Sequence, residues 1–340
     1  MRDVIDLITN WTAQGKAVAL ATVIQTWGSS PRGVGASMAL TSDGGIAGSV
    51  SGGCVEGAVL EAGIELLKNK QPRLLHFGVA DETAWEVGLS CGGTIDVFVR
   101  HLDVEKFQTL EKEINAGKSV ASVMIIKGPE LLLGQEMIVL EGGGTIGTLG
   151  VDLDARALHY AQSALTDGRP RRIDTEESVE LFINVVKPSP TLIVVGGAHI
   201  AIPLTSLAKT LGYRTIVVDP RKMFGSNERF PHVDQLIQAW PDKAFEKIAL
   251  TSSTAVAMLT HDPKIDDPAL IATLNSPAFY VGALGSRKTH AKRLQRMREI
   301  GVSEEQLDRL HAPIGLNLGG RSPEEIALAV MAEIVQARNN

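Results

Sequence analysis

Both cysteines of the chain lie beside glycine. Cys54 stands in "GSVSGGCVEGAVLEAG" (48–63) and Cys91 in "GLSCGGTIDVFV" (88–99). An apolar run at helical spacing follows Cys54, so this thiol is predicted at the N-terminus of a helix over 55–67. The unpaired N–H groups and the dipole of a helix N-terminus favour an anion, and we expect them to lower the pKa of the thiol.

The shared glycine setting argues against simple packing of the two thiols. A small buried cysteine often only fills space, and each thiol taken alone favours that interpretation. Neither thiol has a CxxC partner or a nearby histidine pair, as a structural zinc site would need. Bare backbone at Gly52 and Gly53 would let a bulky ligand reach the sulfur and the amides together. The pattern favours sulfur ligands, or sulfur chemistry, on a bound anionic molecule.

The second half of the chain shows an alternating strand–helix–strand pattern. The short stiff connector Lys187–Pro190 precedes this half. The predicted strands, several of them separated by helical segments, lie at 192–195, 215–218, 235–238, 255–259, 279–281 and 311–316. This α/β pattern predicts a Rossmann-like, doubly wound parallel sheet in a domain over 187–340.

The first half, residues 1–186, has a different pattern, in which turn residues join short predicted strands. Helices are expected only at 4–13, 55–67 and around 158–165. His76 falls inside a predicted strand and is expected in the core. We predict a mixed α+β domain that carries both cysteines, and the sequence suggests no internal repeat.

A glycine turn follows the first strand of the second half. It reads Gly196-Gly197-Ala198-His199, and Asp219 ends the next strand, where a ribose-binding acid would lie. Ala198 takes the place of the second glycine, and its Cβ would point where a pyrophosphate needs bare backbone. The turn therefore predicts the fold strongly and NAD(P) binding weakly, so a scaffold or another ligand is favoured. His199 is expected to contact that ligand, and the competing interpretation is that it caps the turn.

Two further groups follow strands of the second half. "GSRKTHAKRLQRMREIG" forms a basic helical segment, and Arg287 near its start is expected close to a ligand phosphate at the carboxyl edge of the sheet. The competing interpretation is an ordinary solvated helix face. His261 and Asp262 also follow a predicted strand and could do acid–base work.

The sequence resembles the xanthine dehydrogenase accessory proteins, the XdhC/CoxI family. The matching stretches run in family order over most of the chain: "GSSPRGVGASMAL", "GSVSGGCVEGAV", "GLSCGG", "VVGGAHIA", "VVDPR", "LTHDPKID", "GALGSRKTHAKRL" and "IGLNLGGRSPEEIALAVMAEIV". One departure is Ala198, because the family turn usually reads Gly-x-Gly-His.

The resemblance implies a chaperone for molybdenum cofactor. Family members bind the cofactor, protect it while a cysteine desulfurase installs its terminal sulfur, and deliver it to an apo molybdenum hydroxylase of the xanthine dehydrogenase type. Family cysteines proposed to hold the cofactor match Cys54 and Cys91. A thiolate such as Cys54 suits molybdenum, and glycine amides at a helix N-terminus suit the cofactor's phosphate. Arg32 could pair with the phosphate as a planar fork, or be an ordinary surface arginine.

Charge and composition limit the partners. The formal net charge is −6 and the sequence pI is about 5.8, which disfavours sequence-independent binding to nucleic acid. No apolar run reaches the length of a membrane-spanning helix and no signal peptide is recognised, so a cytoplasmic protein with reduced thiols is expected. We further predict a homodimer, and a cleft in which the sheet's carboxyl edge faces the Cys54 loop and holds the cofactor.

Two other functions remain open at this point. One is an NAD(P)- or nucleotide-dependent oxidoreductase that uses the second domain, against which Ala198 argues. The other is an assembly scaffold that contacts the hydroxylase and the desulfurase without holding cofactor, against which the two glycine-embedded cysteines argue.

Overall fold

The chain forms two compact units, Met1–Pro188 and Ser189–Asn340. They are described from a computed structural model that covers residues 1–78, 93–175 and 179–339. Cys91 lies outside the described residues.

The first unit combines helices with antiparallel strands. Its helices are α1 (Ile5–Ala13), α2 (Glu56–Asn69), α3 (Val104–Asn115) and α4 (Val151–Asp167). Its strands are β1 (Val18–Trp27), β2 (Ser37–Thr41), β3 (Ile46–Gly48), β4 (Arg73–Phe77), β5 (Thr94–His101), β6 (Val120–Lys127), β7 (Glu136–Leu140), β8 (Thr145–Ile146), β9 (Arg171–Asp174) and β10 (Glu180–Val186). The mixed α+β prediction is confirmed, although α3, β9 and β10 were not predicted and α4 is longer than expected.

The first unit is built from two copies of one arrangement. One sheet has the strand order β3-β2-β1-β5-β4, and the other has the order β8-β7-β6-β10-β9. In each, a helix precedes the first strand and a second helix joins the third strand to the fourth. We call Ile5–His101 the first repeat and Val104–Val186 the second repeat. The expectation that the chain has no internal repeat is wrong.

The two repeats agree in strand register and in turn geometry. Val18 pairs with Thr41 in the first repeat, and Val120 pairs with Leu140 in the second. The turns that follow carry glycine in the left-handed region at the same place, Gly44 with φ 88° and Gly143 with φ 86°. Little of the sequence repeats, apart from "GKAVA" (15–19) and "GKSVA" (117–121), because many different apolar side chains can fill equivalent core positions.

The two sheets of the first unit pack face to face. Ile24 and Phe98 of the first repeat contact Ile126 and Phe182 of the second in one apolar cluster. Helix α2 covers the outer face of the first sheet, and α4 covers that of the second. Strand β1 is therefore buried on both faces over 18–24, which explains why its sequence is almost continuously apolar.

The second unit is a six-stranded parallel sheet between two helical layers. Its strands are β11 (Thr191–Val195), β12 (Arg214–Val218), β13 (Gln235–Ile237), β14 (Thr254–Met258), β15 (Tyr280–Ala283) and β16 (Leu310–His311). Its helices are α5 (Ala201–Thr210), α6 (Pro241–Phe245), α7 (Pro263–Leu274), α8 (Arg287–Glu299), α9 (Glu304–Asp308) and α10 (Pro323–Asn339).

The strand order β13-β12-β11-β14-β15-β16 reverses beside β11. This is the order of dinucleotide-binding Rossmann folds, in which ligands bind at the carboxyl ends of the strands near the reversal. Helices α5 and α10 pack on one face, and α6, α7 and α8 on the other. The predicted doubly wound sheet is confirmed, with β16 shorter than the predicted strand.

Candidate functional site

The loop before α2 is organised around one carboxylate. Glu56, the first residue of α2, accepts six hydrogen bonds from this loop. The donors are four main-chain N–H groups and two hydroxyls, namely the N–H groups of Val50, Ser51, Gly52 and Gly53 and the side chains of Ser49 and Ser51. The N–H groups lie 2.8–3.1 Å from the carboxylate oxygens.

The electrostatics of this loop keep Glu56 ionised. Burial raises the pKa of the carboxyl, but hydrogen bonds donated by Ser49 and Ser51 outweigh burial and lower the pKa to about 2. The amides of Gly52 and Gly53, which were expected to hold a ligand phosphate, already have an internal acceptor. A phosphate at these amides would have to displace Glu56.

The glycines of the loop are required by backbone conformation. Gly52 has φ +82° and Gly53 has φ +125°, values that L side chains rarely adopt. A Cβ built on Gly53 would have nothing within 4 Å, so this side of the loop is open. Cys54 comes next, half-buried and packed against the α2 core cluster. The structure thus places a thiol beside open glycine backbone.

Arg32 lies at the same loop. Its Nε donates to the carbonyl of Ser49 at 3.2 Å, and its Nη2 lies 2.6 Å from the carboxylate of Asp3. Arg32 therefore has a carboxylate partner within the protein, and an anionic ligand would have to compete with Asp3 for it.

The glycine turn of the second unit is fixed by contacts within the chain. A Cβ on Gly196 would lie 2.2 Å from Thr260 Cγ2, and a Cβ on Gly197 would lie 2.3 Å from the carbonyl oxygen of Phe224. Ala198 packs against the apolar cluster of α5 and α10. The Ala198 methyl group was expected to crowd a bound pyrophosphate. In the structure it is the main chain of Phe224 that lies close to the turn, at Gly197.

Asp219 is built into this turn. The side chain is fully buried and accepts hydrogen bonds from the N–H of Gly197 at 2.7 Å and from the guanidinium of Arg221 at 2.8 and 2.9 Å. Burial raises the pKa of this carboxyl, but the bonds from Arg221 and Gly197 outweigh burial and hold it below its usual range. The expected ribose-binding acid is thus engaged by its own chain, and a ligand at Asp219 would have to compete with Gly197 and Arg221.

The segment after β12 covers the glycine turn. Arg229 donates to the carbonyl of Gly197 at 2.6 Å and to that of Phe224 at 3.1 Å. The Arg221 guanidinium lies 4.1 Å from the centre of the Phe224 ring. A dinucleotide pyrophosphate at Gly197 would have to displace this segment.

The remaining predicted residues make none of the contacts described above. His199 and Arg287 are exposed, His199 just before α5 and Arg287 as the first residue of α8. Asp262 is the N-cap of α7 and accepts from the N–H of Lys264, so this carboxylate already has a structural role as a helix cap. His76 lies on β4 as expected, but its side chain is 68% exposed beside Asp96, so its assignment to the core is wrong.

Sequence reasoning missed Glu56 and the covering segment at 221–229. An acid in the first helical turn, just after a run of glycine and serine, was the available signal for Glu56. No cluster of three or more His, Cys, Asp or Glu side chains in the described ranges is placed to hold a metal. Within the same ranges, no helix has the length and apolarity needed to span a membrane.

Comparisons with known proteins cover both units. Residues 11–78 match the sequence model of the XdhC and CoxI family, and residues 192–334 match that of the XdhC Rossmann domain. The chain is 30% identical over 324 residues to a probable xanthine dehydrogenase subunit of Bacillus subtilis, covering 94% of this chain and 92% of the relative. It is 27% identical over 325 residues to the molybdenum cofactor insertion chaperone PaoD of Escherichia coli, covering 95% and 84%.

A solved structure agrees with the fold of the whole chain. A crystal structure described as a xanthine dehydrogenase from Bacillus halodurans superposes with a TM-score of 0.78 at 25% identity, covering 98% of this chain and 95% of that one.

Proposed function

Because the chain belongs to the XdhC and CoxI family, we propose that it acts in maturation of a molybdenum hydroxylase of the xanthine dehydrogenase type. In this proposal it binds molybdenum cofactor as cargo, protects it while a cysteine desulfurase installs the terminal sulfur, and delivers it to the apo-hydroxylase. The name of the Escherichia coli relative, a molybdenum cofactor insertion chaperone, supports the cofactor as cargo.

One observation about this chain carries the proposal. Both cysteines fall in connectors that are longer in the first repeat than in the second. Five non-helical residues, 51–55, separate Val50 from α2, whereas Gly150 alone separates Leu149 from α4, because α4 begins earlier. Residues 78–93 join β4 to β5 where residues 175–179 join β9 to β10. A repeat that needed only to fold would not require these longer connectors, because the second repeat forms the same sheet without them.

The chain's own groups suit such a cargo. The Cys54 sulfur is a soft donor of the type that thiolate-binding metals prefer. Open backbone at Gly53 would admit a bulky ligand beside that sulfur. Glu56 would hold the loop in position, and Arg32 would supply a cation for the phosphate in exchange with Asp3.

The proposal is tested by the ligand that co-purifies. The full chain, produced in cells with intact molybdenum cofactor synthesis, is expected to carry molybdenum and pterin at about one per protomer. Cys54→Ala should lose most of both, and Cys91→Ala measures the share of the second thiol. Leu131→Ala, an exposed site on the second repeat, is the control. Wild-type metal and pterin content in Cys54→Ala would rule out the thiolate role.

An NAD(P)- or nucleotide-dependent oxidoreductase is the second candidate, favoured by the strand order of the second unit. Phe224 over Gly197 and the engaged Asp219 argue against it. We expect no NAD binding at micromolar concentrations in calorimetry. Micromolar binding that Asp219→Ala abolishes would revive the oxidoreductase.

We also propose that the protein is a homodimer. Sedimentation equilibrium of the full chain tests this, with a mass of two chains expected. A mass of one chain at every concentration measured would exclude the dimer.

A further inference from the structure

A cavity of about 260 Å³ opens between the N-terminal ends of α7 and α8. It lies at the carboxyl ends of the adjacent parallel strands β14 and β15, the edge where folds of this type bind ligands. Its lining includes His261, Asp266, Lys288, Lys292, Arg293 and Arg296. Positive charge therefore predominates at this site, although the whole protein is acidic.

Arg293 is the buried centre of the lining. The side chain is 2% exposed, and its Nη2 donates to the carbonyl of Leu284 at 2.8 Å. Its Nε and Nη1 are buried and have no hydrogen-bond partner in the described part of the chain. Buried guanidinium donors are normally satisfied, because leaving them unpaired is costly. The arrangement points to an acceptor that enters the cavity.

Two carboxylates, Asp266 and Asp267, act on the charge of Arg293, and Asp267 is already paired with Arg296. Asp266 lies 3.5 Å from Nη2 and accepts a hydrogen bond from Thr260. Burial raises the pKa of Asp266 to about 6. Keeping Asp266 ionised in this buried setting thus costs free energy. Its carboxylate also makes no hydrogen bond to Nε or Nη1 of Arg293.

The other cations of the lining divide into two kinds. Arg296 is paired with Asp267 through two hydrogen bonds of 2.7 and 2.9 Å. Lys288 and Lys292, one helical turn apart on α8, are exposed and have no ion-pair partner among the described residues. The dipole of α8 adds positive potential at the same end. Two exposed lysines and the buried Arg293 therefore line the same cavity.

We propose that this cavity binds a phosphate-type oxyanion, either free or as the terminal phosphate of a larger ligand. Arg293, which lines the cavity, turns one of its two unpartnered nitrogens to the anion, and Lys288 and Lys292 close over its outer oxygens. A guanidinium donates directional hydrogen bonds to an oxyanion, while lysines act as point charges.

The volume supports a group of this size. At about 260 Å³ the cavity lies below the roughly 300–1,000 Å³ of pockets that enclose drug-sized ligands. It suits one phosphate or pyrophosphate group, with any organic remainder outside. This site does not depend on Cys54 or on the proposed cargo, and its test needs no molybdenum cofactor.

The test uses calorimetry on the full chain at constant ionic strength with inorganic pyrophosphate, inorganic phosphate and ribose 5-phosphate. Lys292→Gln should weaken pyrophosphate binding about tenfold, because it removes one unpaired charge at contact distance. Lys288→Gln/Lys292→Gln should abolish measurable binding. Arg298→Gln, on the same helix and paired with Glu304, removes the same charge outside the cavity and should change affinity less than twofold.

Arg293→Met is expected to abolish binding, and its thermal unfolding shows whether it folds. If it does not, the surface pair Lys288→Gln/Lys292→Gln decides the matter. Tighter binding of ribose 5-phosphate than of inorganic phosphate would identify the terminal phosphate of a larger ligand, and the reverse would identify a free anion. Absence of binding by the wild type, or equal weakening in Arg298→Gln and Lys292→Gln, would overturn the proposal.

Discussion

The two repeats of the first unit share an architecture but differ at the entry to their second helix. In the second repeat, Asp154 of α4 accepts hydrogen bonds from the hydroxyl of Thr148 and the N–H of Leu149. In the first repeat, Glu56 accepts from the corresponding Ser49 and Val50 and from three further residues of a longer loop. In both repeats an acid near the start of the second helix thus holds the preceding loop through hydrogen bonds. In the first repeat this acid accepts more of them.

The longer loop carries the thiol. Residues 51–55, which contain Gly52, Gly53 and Cys54, stand where the second repeat has Gly150 and the first helical residues of α4, 151–153. The first repeat thus replaces the start of a helix with loop and adds one residue. A fold can accept such a change at a connector at low cost, because the strands and the core remain unchanged. The difference separates what the unit needs to fold from what it needs for chemistry.

Replacing the acid of each repeat, Glu56 or Asp154, is expected to give the largest difference in stability between the repeats. Glu56→Gln should lower the free energy of unfolding of the full chain by about 2–4 kcal/mol, because an amide turns a donor toward N–H groups that need an acceptor. Asp154→Asn should cost about 1 kcal/mol, since fewer donors depend on it. Urea unfolding measures both. Equal losses would show that the longer loop has no greater dependence on its acid.

The glycines before the two helices separate stability from cargo binding. Gly53 has φ +125° and Gly150 has φ +109°, and a Cβ on either would meet nothing within 4 Å. Alanine at each position should therefore cost a similar amount, about 1–2 kcal/mol, through backbone conformation alone. Only Gly53→Ala should also reduce the molybdenum and pterin content of protein purified from cells. Loss of both in Gly150→Ala would remove the functional distinction between the repeats.

The smallest expected effect is in the pH dependence of the first repeat. Burial raises the folded-state pKa of Glu56, but the hydrogen bonds that it accepts outweigh burial and lower the pKa from 4.5 to about 2. Its ionised form therefore contributes stability fully above pH 4.5, and that contribution is lost as the pH falls through about 2. The stability gap between wild type and Glu56→Gln should narrow by roughly 1 kcal/mol from pH 6 to pH 3, allowing for solvent screening. A gap that stays constant would contradict the strong anchoring of Glu56.

By itself, the sequence determined the elements whose signal is local. Continuous apolar runs at 192–195 and 215–218, joined by a glycine turn and a helical pattern, predicted the parallel sheet of the second unit correctly. The glycine setting of Cys54 also predicted an open backbone beside the thiol. These signals are readable because period and turn chemistry act over a few neighbouring residues.

Only the tertiary structure decided which polar groups remain available and which are already used. Asp219, Gly52 and Gly53 have the residue types of a ligand site, yet Gly197, Arg221 and Glu56 satisfy them within the chain. Conversely, Arg293 is buried beside Asp266 of α7 with Nε and Nη1 unpartnered, which no spacing along α8 reveals. The repeat was hidden for a related reason, since strand register and packing tolerate many apolar sequences, and only paired strands show that two different sequences form one arrangement.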